Sequence, residues 1–310
     1  MASVALVVYI AACGGGAASA DVPRVIATTS ILADVVAQVG GDAIQVDALI
    51  PRGVDPHDFA PSAQQVASLS SAELIVANGL ELEIGLEDVL EQARSEGLPL
   101  LEVAPELDPL AHEEEEHEGE EHEEEAGHEH GAFDPHFWQD PRRMATATSL
   151  IAAALIDEVG LDAEETNARA ASYATEIESA YERAEGMLTA VPSEWRLLVT
   201  NHEAFAYFAD AYGFEVLGTI IPGGSTLGEP SSEELADLIA LLQETGVPAI
   251  FTENIGSNDL ANTLAAEVGR EVRVVELVSD SLAPEGADPD TYLELIEFNA
   301  RAVAGALGQG

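Results

Sequence analysis

Residues 162–188, with the sequence DAEETNARAASYATEIESAYERAEGML, predict one long helix in the middle of the chain. Asp162 is followed three residues later by Glu165, which is typical of a capping box at a helix N-terminus. Apolar side chains then recur at helical spacing until Pro192 ends the pattern: Tyr173, Ile177, Tyr181, Ala184 and Leu188. We therefore expect a helix of about 25 residues that joins the two halves of the chain.

Each half contains short β-rich runs separated by helical patterns. The runs are 25–28, 44–49, 74–77 and 100–103 in the first half, and 197–200, 216–221, 249–252 and 272–277 in the second. Strands that alternate with helices predict parallel sheets covered by helices on both faces. We expect an α/β fold of two lobes, each with a parallel four-stranded sheet flanked by helices, joined by one long rigid helix. The predicted divisions are an N-terminal lobe (21–160), the connecting helix (161–190) and a C-terminal lobe (191–310).

The N-terminus resembles a bacterial lipoprotein signal. An apolar run from Ala2 to Ala12 ends in small residues before Cys13, the only cysteine of the chain, although the basic segment typical of signal peptides is missing. We interpret residues 1–20 as a lipoprotein signal and flexible leader, with Cys13 as the lipidated residue that tethers the protein to a membrane. The alternative is a buried N-terminal strand with a chance cysteine. The expected location is the periplasm or the outer face of the cytoplasmic membrane.

The composition limits the partners of the chain. Its 310 residues carry 58 acidic and 11 basic side chains, which gives a formal charge of −47 at pH 7. Such a surface repels nucleic acid, so we expect no nucleic-acid partner, and we expect a monomer. The acidity can equally reflect the host proteome or a saline habitat, and it does not identify a ligand.

Three isolated histidines indicate a metal site. His57 and His136 each end an Asp-Pro-His motif, and His202 lies in Asn-His-Glu-Ala-Phe. Each proline restricts the residue before it, and the aspartates Asp55 and Asp134 are candidate partners for the second ring nitrogen. Spacings of about 80 and about 65 residues exclude a local His-Glu-x-x-His site on one helix. We therefore expect a site assembled from distant loops, beyond the carboxyl ends of parallel strands.

Two further features of the predicted site are its shielding from water and its fourth ligand. Phe59 and Trp138, each two residues beyond a histidine, are expected to shield the site from water. The fourth ligand is Asp280, Glu253 or a water, and each carboxylate could instead be a helix cap or a surface acid.

A tract rich in histidine and glutamate separates the two Asp-Pro-His motifs. We expect residues 111–131 to form a disordered loop, because such a run cannot bury apolar area. We interpret its histidines as auxiliary weak metal ligands, and the alternative is a solvated acidic insertion: His112, His117, His122, His128 and His130.

Together these motifs resemble the metal-binding lipoproteins that serve zinc and manganese ABC importers, most nearly the zinc-uptake members. The resemblance covers nearly all of the mature chain and rests on several segments in order: Pro-His-Asp-Phe at His57, Asp-Pro-His-Phe-Trp-Gln-Asp-Pro at His136, His-Glu-Ala-Phe-Ala-Tyr-Phe from His202, Phe-Thr-Glu at Glu253, Asp-Ser-Leu from Asp280 and Asp-Thr-Tyr from Asp290. It implies that the ligands are His57, His136, His202 and Asp280. It also implies that histidine rather than glutamate at the third position favours zinc over manganese.

We therefore expect a solute-binding protein, not an enzyme, that captures Zn²⁺ between two lobes and delivers it to the membrane permease of an ABC transporter. The long helix should limit lobe closure. One alternative is a manganese or iron(II) carrier of the same class. Another is an exported zinc hydrolase, whose general base would be Glu203, Glu229 or Glu253. A third is an adhesin or interaction module.

Overall fold

The computed structural model describes residues 22–112 and 131–308. The predicted leader with Cys13, and four histidines of the acidic tract, lie outside these residues: His117, His122, His128 and His130. Within the two described ranges, no helix combines the length and the apolar character that crossing a bilayer requires.

The first lobe is built on one four-stranded parallel sheet, as predicted. Its strands are β1 (Arg24–Ala27), β2 (Gln45–Ala48), β3 (Leu74–Ala77) and β4 (Leu100–Glu102), and its helices are α1 (Ser30–Gly40), α2 (Ala63–Leu69), α3 (Glu87–Ser95) and α4 (Pro141–Asp157). The strands lie in the order β2-β1-β3-β4. Every residue of β3 is buried, as expected of an inner strand in a parallel sheet covered on both faces.

The side chains of this sheet alternate between two apolar layers. Val25 and Val76 pack on the side of α1 and α4. Ile26 and Ile75 point the other way and pack with residues of α2 and α3. The period of two follows from strand geometry, in which successive side chains point to opposite faces.

The second lobe has the expected strands in a different arrangement. They are β5 (Leu197–Thr200), β6 (Glu215–Thr219), β7 (Ala249–Glu253) and β8 (Arg273–Leu277), flanked by α6 (Ala206–Tyr212), α7 (Ser232–Thr245), α8 (Asp259–Glu267) and α9 (Tyr292–Leu307). In place of the single four-stranded sheet we expected, they form two parallel pairs, β5-β6 and β7-β8. The β5-β6 register shifts between Leu198 and Val199. The His202 ring, just beyond β5, donates through Nδ1 to the Glu253 carboxylate at the end of β7.

The long central helix, α5, runs from Ala163 to Leu188, and its 26 residues match the predicted length. The Asp162 carboxylate accepts a hydrogen bond from the Glu165 backbone N–H at 2.9 Å, so the predicted N-cap is confirmed. The second bond of a capping box, in which the Glu165 carboxylate would accept from the Asp162 backbone N–H, is replaced by an ion pair. Glu165 pairs with Arg169 one turn later at 2.7 Å, because an i, i+4 ion pair on the helix surface competes for its carboxylate.

One apolar core extends through both lobes and α5. Tyr173, Ile177 and Leu188 of α5 are buried in this core together with residues of α1, α4 and α9. At the edges of the core the Tyr173 hydroxyl donates to Asp34 in the first lobe at 3.3 Å. The Tyr181 hydroxyl donates to the Ala211 carbonyl in the second lobe at 3.1 Å. The relative position of the lobes is therefore set by packing along a helix that both lobes share.

Replacing Ile177 by alanine should destabilise both lobes together. The side chain is fully buried in the shared core, and its loss should cost about 2–5 kcal/mol of the free energy of unfolding because a cavity remains. Urea unfolding followed by fluorescence would measure the change, since Trp138 and Trp195 report on the first and second lobe. Glu178→Ala, on the exposed face of the same helix, is the matched control and should change stability by less than about 0.5 kcal/mol.

Candidate metal centre

Four buried side chains from the two lobes converge at one point. His57, His136, His202 and Asp280 are each at most 3% exposed. One potential ligand atom from each lies within 4.8 Å of those of the other three. The three histidines are those that the sequence singled out, and the full set of four is the one that the resemblance implies.

The strands explain why these residues meet. His57 lies in the loop that follows β2, and His136 lies just before the start of α4. His202 follows the end of β5 by two residues, and Asp280 follows the end of β8 by three. Loops beyond the carboxyl ends of parallel strands form the ligand-binding edge of α/β folds. Each lobe therefore contributes two side chains to a site between the lobes.

Two carboxylates orient two of the imidazole rings. Asp134 Oδ1 lies 2.7 Å from His136 Nδ1, and Glu253 Oε1 lies 2.7 Å from His202 Nδ1. An ionised carboxylate can only accept a hydrogen bond, so Nδ1 of each ring carries the proton. When the rings are neutral, as metal binding requires, the unprotonated Nε2 of each ring faces the centre. The partner expected for the second Asp-Pro-His motif is thus found.

The first Asp-Pro-His motif is stiffened through its backbone. Asp55 Oδ1 accepts a hydrogen bond from the His57 backbone N–H at 2.9 Å. The other oxygen, Oδ2, accepts from the Thr226 hydroxyl of the second lobe at 2.5 Å. Asp55 therefore fixes the turn that presents His57 and also ties that turn to the opposite lobe.

Several distances between the converging atoms are close to the ligand–ligand spacing of a tetrahedral metal site. His136 Nε2 lies 3.3 Å from both His57 Nε2 and His202 Nε2. Asp280 lies 3.5 Å from His136 Nε2 through Oδ1 and 3.7 Å from His202 Nε2 through Oδ2. A tetrahedron with zinc–ligand bonds of 2.0–2.1 Å has edges of about 3.4 Å. Nitrogen lone pairs at such separations repel one another unless a proton or a metal cation lies among them.

The geometry distinguishes the two carboxylates proposed as a fourth ligand. Glu253 bonds to the far nitrogen of His202, so it orients a ring instead of facing the centre. Among the described residues, neither oxygen of Asp280 accepts a hydrogen bond, although both are buried. An unsatisfied buried carboxylate is costly unless a cation compensates it. Asp280 is therefore the carboxylate available to a metal.

The electrostatics of the site favour positive charge. Burial lowers the pKa of His202, but the nearby carboxylates of Glu253 and Asp280 outweigh burial and raise the pKa to about 9. Burial raises the pKa of Asp280, and the imidazoles of His202 and His136 oppose that shift. A proton therefore occupies the metal-free site at neutral pH, where a divalent cation would have to displace it.

The two aromatic residues expected to shield the site have different roles. Trp138 packs edge-on against the His136 ring, with ring centroids 5.3 Å apart. Its indole N–H donates to the Ser279 carbonyl, next to Asp280, at 2.7 Å, so Trp138 both covers the centre and joins its two sides. Phe59 instead packs against the second apolar cluster of the first lobe, because the chain turns away after the motif.

The remaining candidate residues lie outside this cluster. His112, the one histidine of the acidic tract within the described ranges, is half-buried, and its Nδ1 lies 3.5 Å from Glu203 Oε2. Glu203 thus faces His112, and it also accepts a hydrogen bond from the Gly223 backbone N–H. Glu229 is exposed on a loop. Neither glutamate is among the groups that converge on the centre.

Sequence reasoning missed a link between the lobes next to Asp280. The Ser281 hydroxyl accepts from the Gly53 backbone N–H at 2.8 Å and lies 3.2 Å from the Ser30 hydroxyl. Ser30 in turn accepts from the Leu282 backbone N–H at 3.0 Å. These residues are separated by more than two hundred positions, so no local pattern reveals the contact. The link holds the Asp280 loop against the first lobe.

Comparison with known proteins extends these observations. The family model described as "ZnuA: Zinc-uptake complex component A periplasmic" matches residues 25–306. The zinc-binding protein TroA of Treponema pallidum is 30% identical over 301 residues, which cover 94% of this chain and 91% of TroA. A solved structure of TroA superposes with a TM-score of 0.82 at 28% identity, and the match covers 92% of this chain and 99% of the other.

Other relatives are named for other metals. The manganese-binding lipoprotein MntA of Halalkalibacterium halodurans is 25% identical, with 92% of this chain and 89% of MntA covered. The iron-binding protein YfeA of Yersinia pestis is 28% identical, with 92% and 86% covered. All three relatives are thus named for binding a metal, while the metal in their names differs.

The affinity of the site for a divalent cation should rise with pH up to about pH 9. Below the pKa of His202 the metal must displace a proton, so the apparent affinity should gain about tenfold per pH unit between pH 7 and pH 9. An imidazole with an ordinary pKa near 6.5 would give a plateau above about pH 7.5. Chelator competition at several pH values measures the slope. His112→Gln, which removes an imidazole outside the cluster, is the control and should leave the slope unchanged.

Proposed function

Because the chain belongs to the ZnuA family of periplasmic zinc-uptake components, we propose that it captures a zinc ion between its lobes and delivers it to the permease of an ABC transporter. Members of this family are extracytoplasmic substrate-binding proteins of metal transporters, not enzymes. The observation that supports zinc most directly is the convergence of three buried imidazoles and one buried carboxylate, with the Nε2 atom of His136 3.3 Å from the Nε2 atoms of both other rings.

We assign the ligands as His57, His136, His202 and Asp280. Three neutral nitrogens and one carboxylate form a ligand set that suits zinc better than manganese, which prefers oxygen. The four converging atoms are buried, and two of the rings are held by carboxylates. In our proposal the zinc ion is cargo: the site binds it tightly, excludes water and releases it to the next binding site.

A second cargo is supported by the orientation of Asp280. Its Oδ1 faces His136 and its Oδ2 faces His202, so the carboxylate can offer two oxygens to one ion. Manganese or iron(II), which take more ligands and favour oxygen, would use both. Zinc would use one.

The alternative of a zinc hydrolase needs a general base near the metal, and Glu253 is already engaged by His202.

The fold supports capture without wide domain motion. The shared apolar core along α5 joins the two lobes, so opening a cleft by rigid rotation would expose buried surface. We propose that ordering of the loops that bear the ligands, not hinge closure, accompanies binding. We further propose that Cys13 is the lipid anchor and that the tract from His112 to His130 acts as a weak auxiliary metal binder.

Native mass spectrometry with equimolar zinc and manganese tests this function. The chain from Asp21 onward should retain one tightly bound zinc ion, and so should a variant lacking residues 113–130. His136→Ala should lose that ion, because it removes the imidazole nitrogen that lies 3.3 Å from the Nε2 atoms of both other histidines. His112→Ala, which lies outside the cluster, should keep it.

Manganese retained in place of zinc would preserve the carrier function and overturn the assignment of the metal. A variant without residues 113–130 that retains no metal would show that the tract is the binder, and the four-residue site would have to be abandoned.

Replacing His202 by glutamate should shift the preference from zinc toward manganese. The change exchanges an imidazole nitrogen for carboxylate oxygens in a site that already holds Asp280, and oxygen-rich sites favour manganese over zinc. Competition between the two metals, read by mass spectrometry, should show the zinc-to-manganese ratio falling at least about tenfold. Glu203→Gln, one residue along the chain and outside the cluster, is the control. An unchanged ratio would contradict the role given to His202.

A further inference from the structure

A left-handed turn lies directly after β3 in the first lobe. Gly79, Leu80 and Glu81 have φ angles of 83°, 54° and 61°. Three consecutive residues in this region are unusual, because a side chain there crowds the following carbonyl oxygen. Such strain persists only where the surrounding structure enforces it. The turn therefore needs a specific support.

The support is the carboxylate of Glu83, a residue that is only 3% exposed. Its Oε1 accepts from the Asn78 backbone N–H at 2.9 Å and from the Thr28 hydroxyl. Its Oε2 accepts from the Gly79 backbone N–H at 3.3 Å. All three neighbours donate, so the side chain acts as an acceptor on both oxygens. The two backbone bonds pin the start of the left-handed turn.

This network reaches the metal centre through Asn78. The Asn78 side-chain amide donates to the Pro135 carbonyl at 3.0 Å, and Pro135 directly precedes His136. The backbone of Asn78 is the same one that Glu83 holds. A second branch runs through Thr28 to the start of α1, where Ser30 contacts Ser281 beside Asp280.

We propose that Glu83 is a positioning residue of the metal site, which fixes Asn78 so that the Asn78 amide sets the Asp134-Pro135-His136 turn. The inference rests on the proposed function and deepens it, since it names a residue that contributes to metal affinity without touching the metal. A ligand displaced by about 1 Å binds poorly, and losses of about 10-fold to 100-fold in metal affinity follow when outer supports are removed.

The Glu83→Gln variant tests the role of the second oxygen. Glutamine keeps the size of the side chain but places an NH₂ group where Oε2 accepts from Gly79, so two donors face each other. The turn should relax, and Asn78 should shift away from Pro135. Glu81→Gln, the same substitution two residues earlier on an exposed side chain, is the matched control.

Two readouts on the full chain distinguish positioning from a loss of stability. Zinc affinity is measured by chelator competition, and bound cobalt(II) is examined by its visible absorption, which reports the geometry of the ligands. We expect Glu83→Gln to weaken zinc binding at least about tenfold and to alter the cobalt bands, while Glu81→Gln matches the wild type in both. Circular dichroism confirms that each protein is folded at the assay temperature.

Wild-type affinity together with an unchanged cobalt spectrum in Glu83→Gln would overturn the inference and leave the proposed function standing. If the wild type itself binds neither ion, the proposed function fails and the inference fails with it. Should Glu83→Gln not fold, Asn78→Ala decides the matter, because it removes the amide bond to Pro135 and leaves the Glu83 carboxylate in place. Unweakened zinc binding by a folded Asn78→Ala protein would also overturn the inference.

Discussion

The apolar core that α5 shares with both lobes is the constraint on which the metal centre depends. Two of the four converging side chains come from each lobe, and their ligand atoms lie within 4.8 Å of one another. A shift of about 1 Å between the lobes would spoil such a site. Tyr173, Ile177 and Leu188 of this helix are buried in the shared core. Their close packing fixes the position of one lobe relative to the other. Precision at the centre is therefore a consequence of packing far from it.

Electrostatics determine which ligand the site favours. Three imidazoles are packed with Asp134, Glu253 and Asp280, all of them buried. The carboxylates that bond to Nδ1 select the ring orientation in which Nε2 faces the centre. The Asp280 carboxylate, for which the described residues offer no hydrogen bond, adds further negative charge. Such an arrangement favours a compact divalent cation and, in its absence, a proton, which explains the raised pKa of His202.

Polar residues at the strand ends connect this centre to the body of the protein. Ser281 ties the Asp280 loop to Ser30 and Gly53 of the first lobe, and Asp55 ties the His57 loop to Thr226 of the second. Each link spans the two lobes and ends one or two residues from a candidate ligand. A cargo carrier needs ligands that are ordered when the metal is bound and that can release the metal to the next site. Loops held by a few hydrogen bonds meet both requirements better than loops held by apolar packing.

The sequence by itself determined the eight strands and their alternation with helices, the long helix with its cap at Asp162, and the chemistry of the site, because helical spacing, β-rich runs and rare histidines are local features. Only the tertiary structure decided that Asp280 and not Glu253 faces the centre, and that the second lobe divides into two parallel pairs. The same is true of Glu165, which pairs with Arg169, and of the contact between Ser30 and Ser281. These outcomes depend on which side chains packing brings together, and a carboxylate that orients a ring has the same local sequence signature as one that would bind a metal.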